Sequence, residues 1–102
     1  MSKFVKIAEL EDALKNQMQV FNVEGLEILL INAGGQLFAF ENRCPHMGYP
    51  LFFGSVQDDI LTCGFHKAKF NVRTGKSLTP STYKSLRTFK VKIQNSAIFV
   101  EI

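Results

Sequence analysis

Metal-binding side chains are scarce in this chain of 102 residues: it has two cysteines and two histidines. That scarcity excludes chemistry. A mononuclear oxygen-activating iron needs two histidines and a carboxylate as a facial triad, and both imidazoles here fall beside the two cysteines, so none is left over for such a site. There is no Gly-x-Gly-x-x-Gly fingerprint, which leaves any nicotinamide or flavin nucleotide to be bound by another protein. No apolar run approaches the roughly 20 residues of a membrane helix; the longest, Leu26 to Ile31, is interrupted by Glu27. Met1-Ser2-Lys3-Phe4 runs straight into strand-like sequence, so no secretory leader is expected and the chain is read as cytoplasmic. Repeats, linkers and low-complexity segments are also lacking. The chain is therefore read as one domain, 1–102, with an ordinary hydrophobic content of 46%.

The few soft ligands that are present are concentrated. Cys44-Pro45-His46 and Cys63-Gly64-Phe65-His66 stand sixteen residues apart, so each half of one short window supplies one thiolate and one imidazole. Three readings compete. A disulfide is disfavoured in a reducing compartment. A single tetrahedral zinc takes two cysteines and two histidines, but zinc sites commonly pair two cysteines in one turn with two histidines on a helix. A 2Fe-2S centre with two imidazoles on one iron and two thiolates on the other fits the spacing better, because a Cys and a His in one loop can reach neighbouring irons. Pro45 stiffens the first loop, and Gly48 and Gly64 are expected to let backbone N–H groups approach the sulfurs. Leu51, Phe52 and Phe53 are candidates to cover the centre or to form ordinary core.

Period-two patterning dominates the remainder. Phe4 to Ile7 reads as a strand, Glu9 to Lys15 as one or two helical turns with Leu10, Ala13 and Leu14 on one side, and Met18 to Val23 as a strand ending at Glu24-Gly25. Leu26 to Ile31 is a buried-type strand, Asn32 to Gly35 a hairpin turn, and Leu37 to Glu41 the return. Near the end, Arg87 to Ile93 alternates, with Phe89, Val91 and Ile93 expected inward and Lys90 and Lys92 outward; Asn95-Ser96 turns it into Ala97 to Ile102. Short strands at close spacing imply an all-β fold.

The ligand pattern C-P-H, then C-G-F-H, resembles the Rieske 2Fe-2S signature. Gly35 to Cys44 is similar to the strand that feeds the first ligand loop in the ferredoxins of ring-hydroxylating oxygenase systems, and Phe70 to Lys76 to the strand and turn that follow the second. The resemblance implies a small antiparallel β-sandwich or barrel base with an inserted cluster-binding subdomain, about residues 42–76. It also implies one 2Fe-2S cluster per chain on Cys44, His46, Cys63 and His66. The implied role is one-electron transfer from a reductase, itself flavin-containing, to an oxygenase or other redox acceptor, so that the chain is a carrier and not an enzyme. Rieske-like chains also occur as small subunits or regulatory modules of larger redox enzymes of the nitrite reductase type, and this is the alternative.

Two neutral imidazoles in place of thiolates reduce the cluster's negative charge, so Rieske potentials run at roughly −150 to +300 mV. The respiratory branch carries an extra cysteine in each ligand loop, where this chain has Tyr49 and Phe65, and a serine and a tyrosine donor, where it has Ala68 and Phe70. Neither Ala nor Phe donates a hydrogen bond, which points to the low end of the range. Residues 43–76 hold five bases against two acids, while the rest of the chain holds seven of each, so the net charge of +3 is assigned to the cluster half. Aromatic and basic residues form no interleaved stripe, which argues against nucleic acid as a partner.

Overall fold

The computed structural model describes residues 3–45, 48–64, 68–78 and 84–102. The described residues form ten strands in chain order: β1 (Phe4–Glu9), β2 (Met18–Val23), β3 (Leu26–Ala33), β4 (Gln36–Glu41), β5 (Ser55–Gln57), β6 (Ile60–Thr62), β7 (Lys69–Asn71), β8 (Thr88–Phe89), β9 (Val91–Gln94) and β10 (Ala97–Glu101). They form three antiparallel sheets, β1-β10-β9, β2-β3-β4-β8 and β5-β6-β7. Among the described residues the one α-helical segment, α1 (Leu10–Ala13), is a single turn. Among the described residues no helix is long and apolar enough to cross a membrane.

Hairpin turns set the registers. Val23 faces Leu26 and Ala33 faces Gln36 across turns of two residues, and Glu24-Gly25 and Gly34-Gly35 both have positive φ throughout. That geometry matches the twist of paired strands. Asn95-Ser96 and Asp58-Asp59 repeat the device.

The four-stranded sheet is the wall of the molecule, and β3 shows why its sequence reads as unbroken apolar residues. Ile28, Leu29, Leu30 and Ile31 are all buried, yet successive side chains point to opposite faces. Leu29 and Ile31 join one core with Phe40, Leu51, Leu61, Phe70 and Val72. Ile28 and Leu30 join another with Ala13, Ala39, Phe89, Ile98 and Val100. The first core lies towards β5-β6-β7 and holds both cysteines; the second lies towards β1-β10-β9.

Three expectations change. Arg87 to Ile93 is not one strand, because the chain leaves the wall at Lys90: Thr88 and Phe89 pair with β4, and Val91 to Gln94 pair with β10. Glu101 N–H still bonds the Lys90 carbonyl oxygen at 2.9 Å across the switch. Phe89 is inward and Val91 half-buried, but Ile93 is 51% exposed, since β9 is a sheet edge and runs past the core. Leu14 is likewise exposed, because α1 ends at Ala13 and buries only that residue.

Truncation separates these positions. Ile28→Ala and Leu29→Ala are each expected to lower the unfolding free energy by about 2–5 kcal/mol, and Ile93→Ala to stay within about 0.5 kcal/mol. Urea titration reads all three; an Ile93 cost equal to the others would contradict the sheet switch.

Candidate metal centre

The first cysteine loop leaves β4 through Asn42, the buried polar residue of the described core. Its backbone N–H donates to the Glu27 carbonyl oxygen at 2.8 Å, and its Nδ2 donates to Glu27 Oε1 at 3.2 Å. Its Oδ1 accepts the Phe52 N–H at 2.9 Å. One amide thus ties β3 to the short 3-10 turn Leu51–Phe53.

The two cysteine loops close in the same way. Cys44 N–H donates to the Tyr49 carbonyl oxygen at 2.7 Å, and Cys63 N–H to the Ala68 carbonyl oxygen at 2.8 Å. Each bond spans five residues, so each cysteine stands at the base of a loop closed over the same span. Within the first, Gly48 N–H bonds the Cys44 carbonyl oxygen at 2.7 Å, and its φ of +80° is a left-handed conformation suited to glycine.

Glycine also lets the loops meet backbone to backbone. A Cβ on Gly54 would stand 2.0 Å from the Thr62 carbonyl oxygen, and one on Gly64 would stand 2.7 Å from that of Phe53. Thr62 and Gly64 flank Cys63, so no side chain fits between this cysteine's loop and the 3-10 turn. Gly64 therefore serves by close approach. The sequence reading passed over Gly54 and Asn42.

Cys44 and Cys63 are fully buried in the same apolar core as Leu51, Leu61, Ala68 and Phe70, and neither is in a disulfide. Of the three residues considered as a cover, Leu51 joins the cysteines in this core, whereas Phe52 is exposed and Phe53 is 66% exposed. The two rings meet edge to face, with centroids 6.0 Å apart. His46 and His66, the other two candidate ligands, lie outside the described residues. The structure brings the cysteine half of the candidate set together in matched loops, and this donor pair suits a shared metal centre. Thiolates are soft ligands, and an apolar wall excludes competing water.

The geometry defines a class. The Rieske [2Fe-2S] domain family matches residues 3–90, and the chain belongs to that family, whose cofactor is a 2Fe-2S cluster. It is 36% identical over 97 residues to the ferredoxin component of biphenyl 2,3-dioxygenase from Rhodococcus jostii (strain RHA1), covering 95% of this chain and 91% of that one. The ferredoxin of carbazole 1,9a-dioxygenase from Nocardioides aromaticivorans IC177 superposes with a TM-score of 0.86 at 25% identity, covering 96% of each chain. A chain from a complex of reduced oxygenase and oxidized ferredoxin in carbazole 1,9a-dioxygenase also gives a TM-score of 0.86, at 26% identity over 95% of this chain and 91% of that one.

Asn42→Ala is expected to cost about 1–3 kcal/mol, because it strands the Phe52 N–H at a part-buried site. Glu27→Ala removes only an exposed partner and is expected to cost less. Urea midpoints of the two variants check the order.

Proposed function

We propose that this chain is a soluble one-electron carrier of the cytoplasm that holds its 2Fe-2S cluster with Cys44, His46, Cys63 and His66. It takes an electron from a flavin-containing reductase and passes it to the oxygenase of a ring-hydroxylating system. The observation that carries this reading is the repeated loop closure at Cys44 and Cys63, two buried thiols facing one apolar core, in a relative of dioxygenase ferredoxins. The cluster supplies a site that is reduced and reoxidised by one electron at a modest potential.

The chain's own residues do the rest. The thiol pair is buried on the wall side, which leaves the remaining two ligand positions to the loop residues 46 and 66. Leu51, Leu61 and Phe70 exclude water from the sulfurs. Ala68 and Phe70 are buried and have no side-chain donor, so the sulfur charge that grows on reduction gains no hydroxyl hydrogen bond there. Residues of about 42–76 form the cluster-binding subdomain in this reading, and the two other sheets form its base.

Anaerobic purification followed by EPR of the reduced protein tests the assignment. A rhombic signal with average g below that of four-cysteine clusters, with two irons and two sulfides per chain, is the expected result. A colourless protein containing zinc would replace it with a redox-silent reading. Cys63→Ala is expected to abolish assembly, and normal iron content in that variant would disprove the ligand set. The reversible midpoint is expected near the low end of about −150 to +300 mV; voltammetry giving a value well above 0 mV at pH 7 would contradict the argument from Ala68 and Phe70.

A further inference from the structure

An open groove of about 540 Å³ runs along the outside of the first cysteine loop. One wall is Pro45 and Gly48, which belong to the loop that Cys44 begins; the other carries Lys84 and Arg87, from the segment that leads into β8. Arg43 stands between them. A Cβ at Gly48 would lie 3.3 Å from Arg43 Nε, so glycine at this position lets the arginine side chain lie against the loop.

The groove contains three cations and one carboxylate, Glu41. Glu41 Oε2 is 3.8 Å from Arg87 Nη1, a long contact between partly solvated groups. Among the described residues neither Arg43 nor Lys84 has a carboxylate partner, so the groove keeps a surplus of positive charge. This differs from the charge read along the chain. Arg73, one of the five bases of residues 43–76, is paired with Asp59 at 2.8 Å and adds nothing to the groove. Lys84 and Arg87 come from the stretch that was counted as neutral.

The groove's cations are exposed side chains in a solvent-open depression. Such a site holds a small anion weakly, but it acts strongly on an extended partner whose several carboxylates sense the summed field. Its wall is the loop of a cysteine ligand, so a body seated there is one loop away from the cluster. We propose that this groove is where a carboxylate-rich surface of the chain's redox partner docks, beside that partner's own electron-transfer centre. The inference rests on the carrier reading.

Two measurements test it. The first is oxidation of the reduced holoprotein by two one-electron oxidants of opposite charge, hexacyanoferrate(III) and tris(phenanthroline)cobalt(III), each taking one electron from the cluster. The rate with the anion is expected to fall with added salt, and to fall roughly threefold or more in Lys84→Glu and in Arg87→Glu. Lys92→Glu, on the outer sheet, makes the same change in net charge and is expected to have little effect. The cationic oxidant is expected to show the reverse trend. The second measurement is fluorescence anisotropy of a labelled polyglutamate peptide, which needs no redox readout. It is expected to bind the wild-type protein and the Lys92→Glu variant and to lose affinity severalfold for Lys84→Glu.

Equal effects from Lys84→Glu and Lys92→Glu would overturn the groove in favour of bulk charge. Binding of a mixed-sequence oligonucleotide with none of the peptide would overturn a protein partner. If the wild type gives a Rieske EPR signal and both measurements ignore Lys84, the groove fails and the carrier stands. If the signal is missing, the carrier reading fails, whatever the peptide does.

Discussion

The close approach of backbone to backbone around Cys63 is the constraint on which the rest of the site depends. At Gly54 and Gly64 the Leu51–Phe53 turn and the residues flanking Cys63 come within the space of a single methyl group. That contact fixes the distance between the second cysteine loop and the Leu51–Phe53 turn. Asn42 fixes that turn in its own place, through the Phe52 N–H. The two devices are of different kinds, one steric and one hydrogen-bonded, and together they join both cysteine loops to the wall. A metal centre with ligands from two loops needs this, because an error of a few tenths of an ångström in either loop is an error in every metal–ligand bond.

The two cores divide the work. The core towards β1-β10-β9 contains no cysteine and closes on ordinary aliphatic contacts. The core towards β5-β6-β7 contains both thiols and is closed at its far end by short strands of three residues. Such short strands contribute few ladder hydrogen bonds of their own, so that end of the molecule relies on the wall, on the loop closures at Cys44 and Cys63, and on whatever joins the two loops. Because β3 feeds both cores with alternate side chains, a shift of its register by one residue would exchange their contents. The turns at Glu24-Gly25 and Gly34-Gly35 hold that register from either side.

Much of this was readable from local pattern. The cysteine and histidine window stands out because those residues are rare in the chain and occur together. The hairpins at Glu24-Gly25, Gly34-Gly35 and Asn95-Ser96 announce themselves through Gly and Asn, and β3 through its apolar run, whereas the turn at Asp58-Asp59 carries neither residue. The rest depends on partners that are distant in sequence. Phe89, Val91 and Ile93 alternate identically whether they pair with one sheet or two, so the break at Lys90 leaves no mark in the pattern. Asn42 gives no local signal, since its partners lie at Glu27 and Phe52. The basic groove is hidden for the same reason: it draws Arg43 from residues 43–76 but Lys84 and Arg87 from the stretch whose charges balance, which the fold returns to the first loop.

Donor supply near the sulfurs links this architecture to redox behaviour. The amides of Cys44 and Cys63 are spent on closing their loops, and that of Gly48 on the Cys44 carbonyl oxygen. Ala68 and Phe70 offer no hydroxyl in the core around the thiols. Each hydrogen bond to a cluster sulfur stabilises the reduced, more negative state and raises the potential. Positions 68 and 70 are thus where a side-chain hydroxyl would be expected to raise the potential of the proposed centre.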